Sequence, residues 1–362
     1  MYLFVVISFV LSAVFMPLIM LYCKKRSLYD YQDSRKIHSG NIPRLGGIGI
    51  FAAFFIPTVI FLLTNKNISG RNNLPLLIAC AIIFATAIID DLKNLPAWVK
   101  LLFQLIAVTI VTVNGYRFTQ IFYWHLPTWF SFILTFGWIL GVINAYNLID
   151  GLDGLCGTLS CTALVTLGIL YTITNNIEAN ICFILAAAVL GFLVFNYPPA
   201  KIFMGDSGSQ FLGFMIAIIP LYTADEKFEF NKFIIMLILT AFPVFDTIAA
   251  IWRRLREHRP IMSADRSHLH HKFLNMGYTG KQTLLLISLI QILLCGTVVF
   301  SYFLGKLKGT AILLEDLGFM CIFFGVVHFT NRRVNLQKQA AAAQTEQKND
   351  EPAADQKEET KE

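Results

Sequence analysis

The chain reads as an all-α, polytopic integral membrane protein, and three observations predict it. Of its 362 residues 56% are hydrophobic and only 14% charged, too few charges to cover the surface of a soluble domain of that size. The apolar residues fall into long runs near the ~20 residues a helix needs to cross hydrocarbon. Eleven such spans are expected, at 2–22, 46–64, 74–90, 97–114, 128–146, 155–174, 179–196, 208–223, 232–251, 282–303 and 310–329. Runs this long exclude a membrane barrel, whose strands alternate over short segments. The basic residues, finally, divide unevenly between the two sides that the runs define.

The first run has no positive segment before it, and its charges, Lys24, Lys25 and Arg26, follow it. It is expected to be an uncleaved anchor with the amino terminus outside. Alternating the spans from there leaves Lys66, Arg71, Arg117, Lys227, Lys232, Lys306 and Lys308 outside and the other 22 of 29 Lys and Arg inside. This is the positive-inside pattern, with a cytoplasmic carboxyl terminus. Residues 1–330 then form one transmembrane domain. The tail at 331–362, rich in Gln, Ala, Glu and Lys, is expected to be disordered. Outer links are short, whereas 23–45 and 252–281 are long inner links, so function is expected at the cytoplasmic face. No internal repeat is visible, which weighs against an inverted-repeat transporter. The seven cysteines lack metal-type spacing and read as packing residues. A pI near 8.9 suits a surface facing anionic lipid and anionic substrates. Nothing supports nucleic-acid binding, and small residues on the spans permit a homodimer.

The chemistry-bearing residues lie at the inner ends of spans, where a carboxylate beside hydrocarbon is costly and marks function. Asp90 and Asp91 close the third run. Being adjacent, they point in different directions, so one suits a metal and the other a substrate; a solvated helix end is the plainer alternative. Asn144-Ala-Tyr-Asn147-Leu-Ile-Asp150-Gly-Leu-Asp153-Gly carries a stronger signal. Asp150 and Asp153 share a face if the helix continues, and Gly151 and Gly154 admit a phosphate or a close backbone. Asn144 and Asn147 repeat that spacing with neutral groups. Met204-Gly205-Asp206-Ser207-Gly208 sets a hard oxygen ligand between glycines just before a span, which suits Mg²⁺.

Other residues allow two readings each. Phe203 offers an aromatic face to a base or serves as an interface aromatic. Asn196 bonds a ligand or caps its helix. Lys100, one turn before Gln104, contacts phosphate or snorkels. Arg35 and His38, in the basic loop running to Pro43-Arg44-Leu45-Gly46-Gly47, cradle a lipid phosphate or signal topology. His268, His270 and His271 lie among Arg253, Arg254, Arg256, Arg259, Arg266 and Lys272. Such positive charge repels a metal and favours hydrogen bonds to a diphosphate. Asp246, after Pro243, supports a kink or joins the site, support being the expectation.

Taken together and in order, RKIH…PRLGG, IIDDLKN, K-x-x-x-Q, NAYNLIDGLDGL, KIFMGDSG and DRSHLHHKF resemble the motifs of the polyprenyl-phosphate N-acetylhexosamine-1-phosphate transferases, over about Asp33 to Thr279. The resemblance implies transfer of a sugar-1-phosphate from a UDP-N-acetylhexosamine to undecaprenyl phosphate, with release of UMP and Mg²⁺ (or Mn²⁺) as cofactor. It implies that Asp90, Asp91, Asp150 and Asp153 are active-site acids, that Lys100 is an active-site lysine and that Asp206 holds the metal. One of Asp90 and Asp91 would help it, assigned here to Asp91. It further places Asn196 and Phe203 near uridine and His268, His270 and His271 near phosphate. Asn144, Asn147, Arg35, His38 and Arg266 complete the expected substrate contacts.

The histidine motif reads SHLHH rather than the PIHHH type of the UDP-MurNAc-pentapeptide branch. That likeness implies UDP-GlcNAc or a modified N-acetylhexosamine, and a role at the start of O-antigen, common-antigen or teichoic-acid synthesis in a bacterial inner membrane. A cation-coupled transporter is the rival of another class, but it would place its acids near the bilayer midplane.

Overall fold

The computed structural model describes residues 2–26, 28–29, 42–64, 73–221, 225–260 and 267–350. Helices follow one another as α1 (Tyr2–Arg26), α2 (Gly46–Thr64), α3 (Leu74–Lys93), α4 (Ala97–Val113), α5 (Thr128–Ile149), α6 (Leu155–Ile173) and α7 (Glu178–Asn196). They continue as α8 (Gly205–Ile218), α9 (Glu226–Leu239), α10 (Ala241–Arg256), α11 (Leu269–Asn275), α12 (Gly280–Phe303) and α13 (Lys306–Asp350). An antiparallel pair, β1 (Gln120–Ile121) with β2 (Trp124–His125), closes the link between α4 and α5. The protein is therefore all-α and polytopic.

Every expected span coincides with a helix, except that 232–251 is two. Among the described residues eight helices are long and apolar enough to cross a membrane, and α9 with α10 makes a ninth if the bent pair is one span. The remaining two expected spans, α4 and α8, are shorter at 17 and 14 residues. Between α9 and α10 the chain turns by 69° at Thr240. Pro243 has no N–H to offer the carbonyl of Leu239. Gln291 of α12 donates to that carbonyl instead, at 3.0 Å, which satisfies the break inside the protein as an apolar surrounding requires.

Burial grades the helices from centre to edge. In α6 and α7, 67% of the apolar window is buried, against 17% in α1 and 22% in α13. α1 nevertheless packs closely on α7. Ser8 and Ser12 donate to the Ile184 and Ala188 carbonyls, each at 2.7 Å, and a Cβ on Gly191 would stand 2.6 Å from that of Ser12. Small residues let these backbones approach where the hydrophobic effect gives little drive for association.

Residues 331–350, part of the 331–362 tail assigned by composition as unstructured, continue α13 as a helix that is largely exposed over 331–345. Ala, Gln and Lys have high helix propensity and extend a helix already nucleated by packing. Asn331 and Asn335 accept from Asn275 at the end of α11, at 2.8 and 2.7 Å, and Lys338 donates to the Asn275 carbonyl at 2.7 Å.

Candidate active site

The acidic motifs meet at one end of the bundle, and the start of α8 is their hub. Gly205 adopts φ +73°, and a Cβ there would lie 2.3 Å from the Arg44 carbonyl oxygen, so only glycine fits without displacement. The chain before it is stitched to the Pro43–Gly47 segment: Phe203 N donates to the Pro43 carbonyl at 2.7 Å, Gly46 N to that of Phe203 at 2.9 Å and Gly47 N to that of Met204 at 2.8 Å. The glycine pair of the first inner link therefore buys close backbone contact with the α8 entry.

Asp91 faces this hub. Its Oδ1 accepts from Asp206 N at 2.9 Å and its Oδ2 from Ser207 N at 3.0 Å. A carboxylate placed so satisfies amides that a helix start leaves without partners, and it meets the positive end of the helix dipole. Arg44 donates to the Asp91 carbonyl and lies 4.0 Å from its carboxylate. Asp91 was expected beside the metal. Both its oxygens accept from the α8 backbone, and the carboxylate that shares Lys100 with Asp206 is Asp90.

Asp90 points the other way, as adjacency in a helix demands. Its Oδ1 accepts from Leu95 N at 2.7 Å and its Oδ2 from Lys100 Nζ at 2.8 Å. Lys100 also reaches Asp206 Oδ2 at 3.5 Å, so one ammonium sits between two carboxylates rather than snorkelling away. Asn147 and Gln210 donate to the same Asp206 oxygen at 3.1 and 3.2 Å. Behind Gln210, Gln104 donates to its side-chain oxygen at 3.1 Å, and Asn144 donates to Gln104 at 3.4 Å. Asn144 and Asn147 thus belong to the site, and Gln210 is a member that the sequence reading missed. Its one signal was position, a single turn beyond Asp206 inside an apolar helix.

The second acidic motif is a turn rather than a helical face. α5 ends at Ile149 and α6 starts at Leu155, after Gly154 at φ +74°. The expected shared face of Asp150 and Asp153 is lost because α5 stops at Ile149 and the residues up to Gly154 form a turn before α6 begins. Asp153 is buried and accepts from Ala200 N at 2.9 Å, whereas Asp150 remains half-buried. Asn196 was expected near uridine. Its Oδ1 accepts from Gly154 N at 2.9 Å and its Nδ2 donates to the Ile202 carbonyl at 2.8 Å, so this buried amide braces the acidic turn against the segment leading to α8. Phe203 is half-buried in that segment.

The histidines close the other side. Asp246, expected to support a kink, anchors this cluster. Its Oδ2 lies 2.8 Å from His268 Nδ1 and its Oδ1 accepts from Leu269 N at 2.8 Å. The His268 and His270 rings lie nearly parallel with centroids 6.1 Å apart, and His271 follows 4.3 Å from His270. His270 is 2% exposed, and a Cβ on Gly151 would stand 2.6 Å from its ring. The acidic turn and the histidine helix are therefore in contact, and glycine at 151 makes room for the imidazole. Burial first, then the charge of His271, drives the His270 pKa down to about 3. It cannot act as a cationic phosphate partner near neutrality, although its neutral ring retains a donor and an acceptor. Arg35, His38 and Arg266 lie outside the described residues.

Among the described residues no group of three or more His, Cys, Asp or Glu is placed to hold a metal. The Asp90–Asp206 pair, however, already shares one cation in Lys100. Two hard oxygen donors suit an ion that takes the rest of its shell from water and phosphate.

A family model described as glycosyl transferase family 4 matches residues 73–224, a stretch that holds Asp90, Asp91, Lys100, Asn144, Asn147, Asp150, Asp153, Asn196 and Asp206. The chain is 32% identical over 299 residues to a probable undecaprenyl-phosphate N-acetylglucosaminyl 1-phosphate transferase of Bacillus subtilis (strain 168), covering 79% of this chain and 82% of the relative. It is 30% identical over 293 residues to the undecaprenyl-phosphate alpha-N-acetylglucosaminyl 1-phosphate transferase of Escherichia coli (strain K12), covering 77% of each. A protein of the latter name from Yersinia pestis is 31% identical over 283 residues, covering 75% of this chain and 76% of its own length.

Proposed function

Because the chain belongs to glycosyl transferase family 4, we propose that it transfers N-acetylglucosamine-1-phosphate from UDP-GlcNAc to undecaprenyl phosphate, releasing UMP. The product is a lipid-diphosphate sugar on which a cell-envelope polymer is begun. The enzyme is a multi-pass phosphotransferase of the bacterial inner membrane, with its acidic end facing the cytoplasm, as the distribution of Lys and Arg supports. The observation that carries the reading is the convergence of Asp90, Lys100 and Asp206 at the mouth of α8. Oppositely charged groups there suit phosphates that arrive together with a divalent cation.

In the reaction an oxygen of the lipid phosphate forms a bond to the β-phosphorus, which bears the sugar. The bond from that phosphorus to the bridging oxygen breaks, and the oxygen leaves with UMP. The attacking oxygen is already anionic, so no proton need be removed. Catalysis then rests on positioning and on charge. Asp206 and Asp90 would hold Mg²⁺, or Mn²⁺ in its place, which when bound neutralises charge on the phosphoryl oxygens. Lys100 stands where its ammonium can pass from the carboxylates to a phosphate. His268, oriented by Asp246, presents its other nitrogen as a hydrogen-bonding group for the donor. Asp91 and Asn196 act at one remove, holding α8 and the acidic turn in place.

The test is UMP release by the purified protein with undecaprenyl phosphate and Mg²⁺, comparing UDP-GlcNAc, a modified UDP-N-acetylhexosamine and UDP-MurNAc-pentapeptide. Turnover with UDP-GlcNAc, lost in a folded Asp206→Asn variant, is the expected result. Turnover with UDP-MurNAc-pentapeptide alone would overturn the donor assignment, and turnover with none of the three would overturn the reaction.

A further inference from the structure

We propose that Gln210, with Gln104 behind it, is a positioning residue that fixes the Asp206 carboxylate in the orientation in which it meets a divalent cation. The proposal rests on the reading of Asp206 as a metal ligand given above.

The two glutamines lie on different apolar helices, α8 and α4, and are 3% and 4% exposed. A primary amide in such surroundings is costly unless its groups are paired, and methionine would fill much the same space without that cost. Here each pairing has a direction. An ionised carboxylate only accepts hydrogen bonds, so Gln210 must turn its NH₂ to Asp206, as it does at 3.2 Å. Its oxygen then faces away and requires a donor, which Gln104 supplies at 3.1 Å. The Gln104 oxygen in turn receives Asn144 at 3.4 Å. Both glutamines are thus oriented by the charge at the inner end of the row and in return hold it, while Asn144 is fixed also by donating to the Leu140 carbonyl at 2.7 Å.

The effect on Asp206 is specific. Gln210, Asn147 and Lys100 all reach Oδ2, so one carboxylate oxygen carries three donors. Of these, Lys100 is an ammonium that a stronger cation would displace, and Asn147 sits one turn before the acidic link. Gln210 alone is buried on the same helix as Asp206, fixed relative to its backbone. It sets the rotamer that remains when Lys100 departs. Outer partners of metal-binding carboxylates commonly govern affinity in this way.

The experiment uses the full-length protein purified in detergent and Mn²⁺ as the probe, followed by electron paramagnetic resonance without substrates. Alongside it, kcat and KM for UDP-GlcNAc are measured, and thermal midpoints establish folding. Gln210→Met is expected to weaken Mn²⁺ binding by roughly 10–100-fold, and to lower kcat with KM for UDP-GlcNAc little changed. Gln104→Met should weaken binding less. The double variant should match Gln210→Met, because the outer amide acts only through the inner one. Should Gln210→Met fail to fold, the double variant carries the test, since it leaves neither glutamine facing an apolar partner. Mn²⁺ affinity equal to that of the unaltered protein in a folded Gln210→Met or double variant overturns the positioning role alone. Absence of Mn²⁺ binding to the unaltered protein overturns both this role and the metal reading of Asp206.

Discussion

Asp246 holds His268 by its Nδ1 and, through the second carboxylate oxygen, the backbone N–H of Leu269, both at 2.8 Å. One side chain from α10 therefore orients a ring and starts the helix that carries the other two histidines. Opposite a carboxylate Nδ1 carries the proton, which leaves Nε2 as the ring's second hydrogen-bonding atom. The relationship joins the basic inner link to the break between α9 and α10, because the turn at Thr240 sets the direction from which Asp246 arrives.

Asp246→Asn keeps one acceptor oxygen and cannot serve both donors as an anion. Losing a charge-assisted hydrogen bond of about 1.5–3 kcal/mol should lower kcat/KM for UMP release by roughly tenfold to a hundredfold. Activity unchanged in the folded variant would remove Asp246 from the site.

Gly151→Ala tests the contact between the acidic turn and the histidine helix. The added methyl would stand 2.6 Å from the His270 ring, so the imidazole must move. A displacement near 1 Å at a catalytic constellation costs about 10²-fold in rate, and a loss of that order is expected in kcat/KM. The thermal midpoint should fall far less than activity does.

Asp91 and Asp206 should separate by what each one loses. Asp91→Ala leaves the Asp206 and Ser207 amides without their carboxylate, and the loss of stability should be about 1–3 kcal/mol, read as a lower thermal midpoint. Asp206→Asn removes a like charge beside Asp90 and keeps an acceptor for Asn147. Its midpoint should hold while UMP release disappears. Equal midpoints for both variants would contradict the helix-start role of Asp91.

The burial of His270 predicts an acid-sensitive fold. Its folded pKa of about 3 lies below the ordinary ~6.5 of the unfolded chain. Between those values the unfolded state binds the extra proton, so the stability is present above about pH 6.5 and is lost as pH falls toward 3. The slope from this group reaches about 1.4 kcal/mol per pH unit. His270→Gln should flatten the fall of the thermal midpoint between pH 6.5 and 5; an unaltered slope would place the acid sensitivity elsewhere.

The helices were legible because hydrocarbon demands long apolar runs, and each run became a helix or, at 232–251, a bent pair. The gathering of Asp90, Lys100, Asn147 and Asp206 was legible too, since polar groups at apolar ends invite explanation. Which way Asp91 points was not, because it depends on where α8 begins in space, 115 positions further on. Asn196 looked like a ligand contact for a similar reason: a buried amide that braces two turns has the same sequence appearance as one that binds. Gln210 sat in an apolar helix one turn past Asp206, just outside the acidic motif. The path of residues 331–350 depended on a helix started upstream, which composition alone does not convey.

The stitching of Pro43–Gly47 to Phe203–Met204 also sets an order for making the protein. Arg44 and Asp91 are inserted early, yet the amides that complete Asp91 belong to Asp206 and Ser207, and the histidine helix follows later still. During synthesis the nascent chain must carry an uncapped aspartate at the end of α3 until α8 arrives. No shortened product ending before that point can assemble the acidic centre.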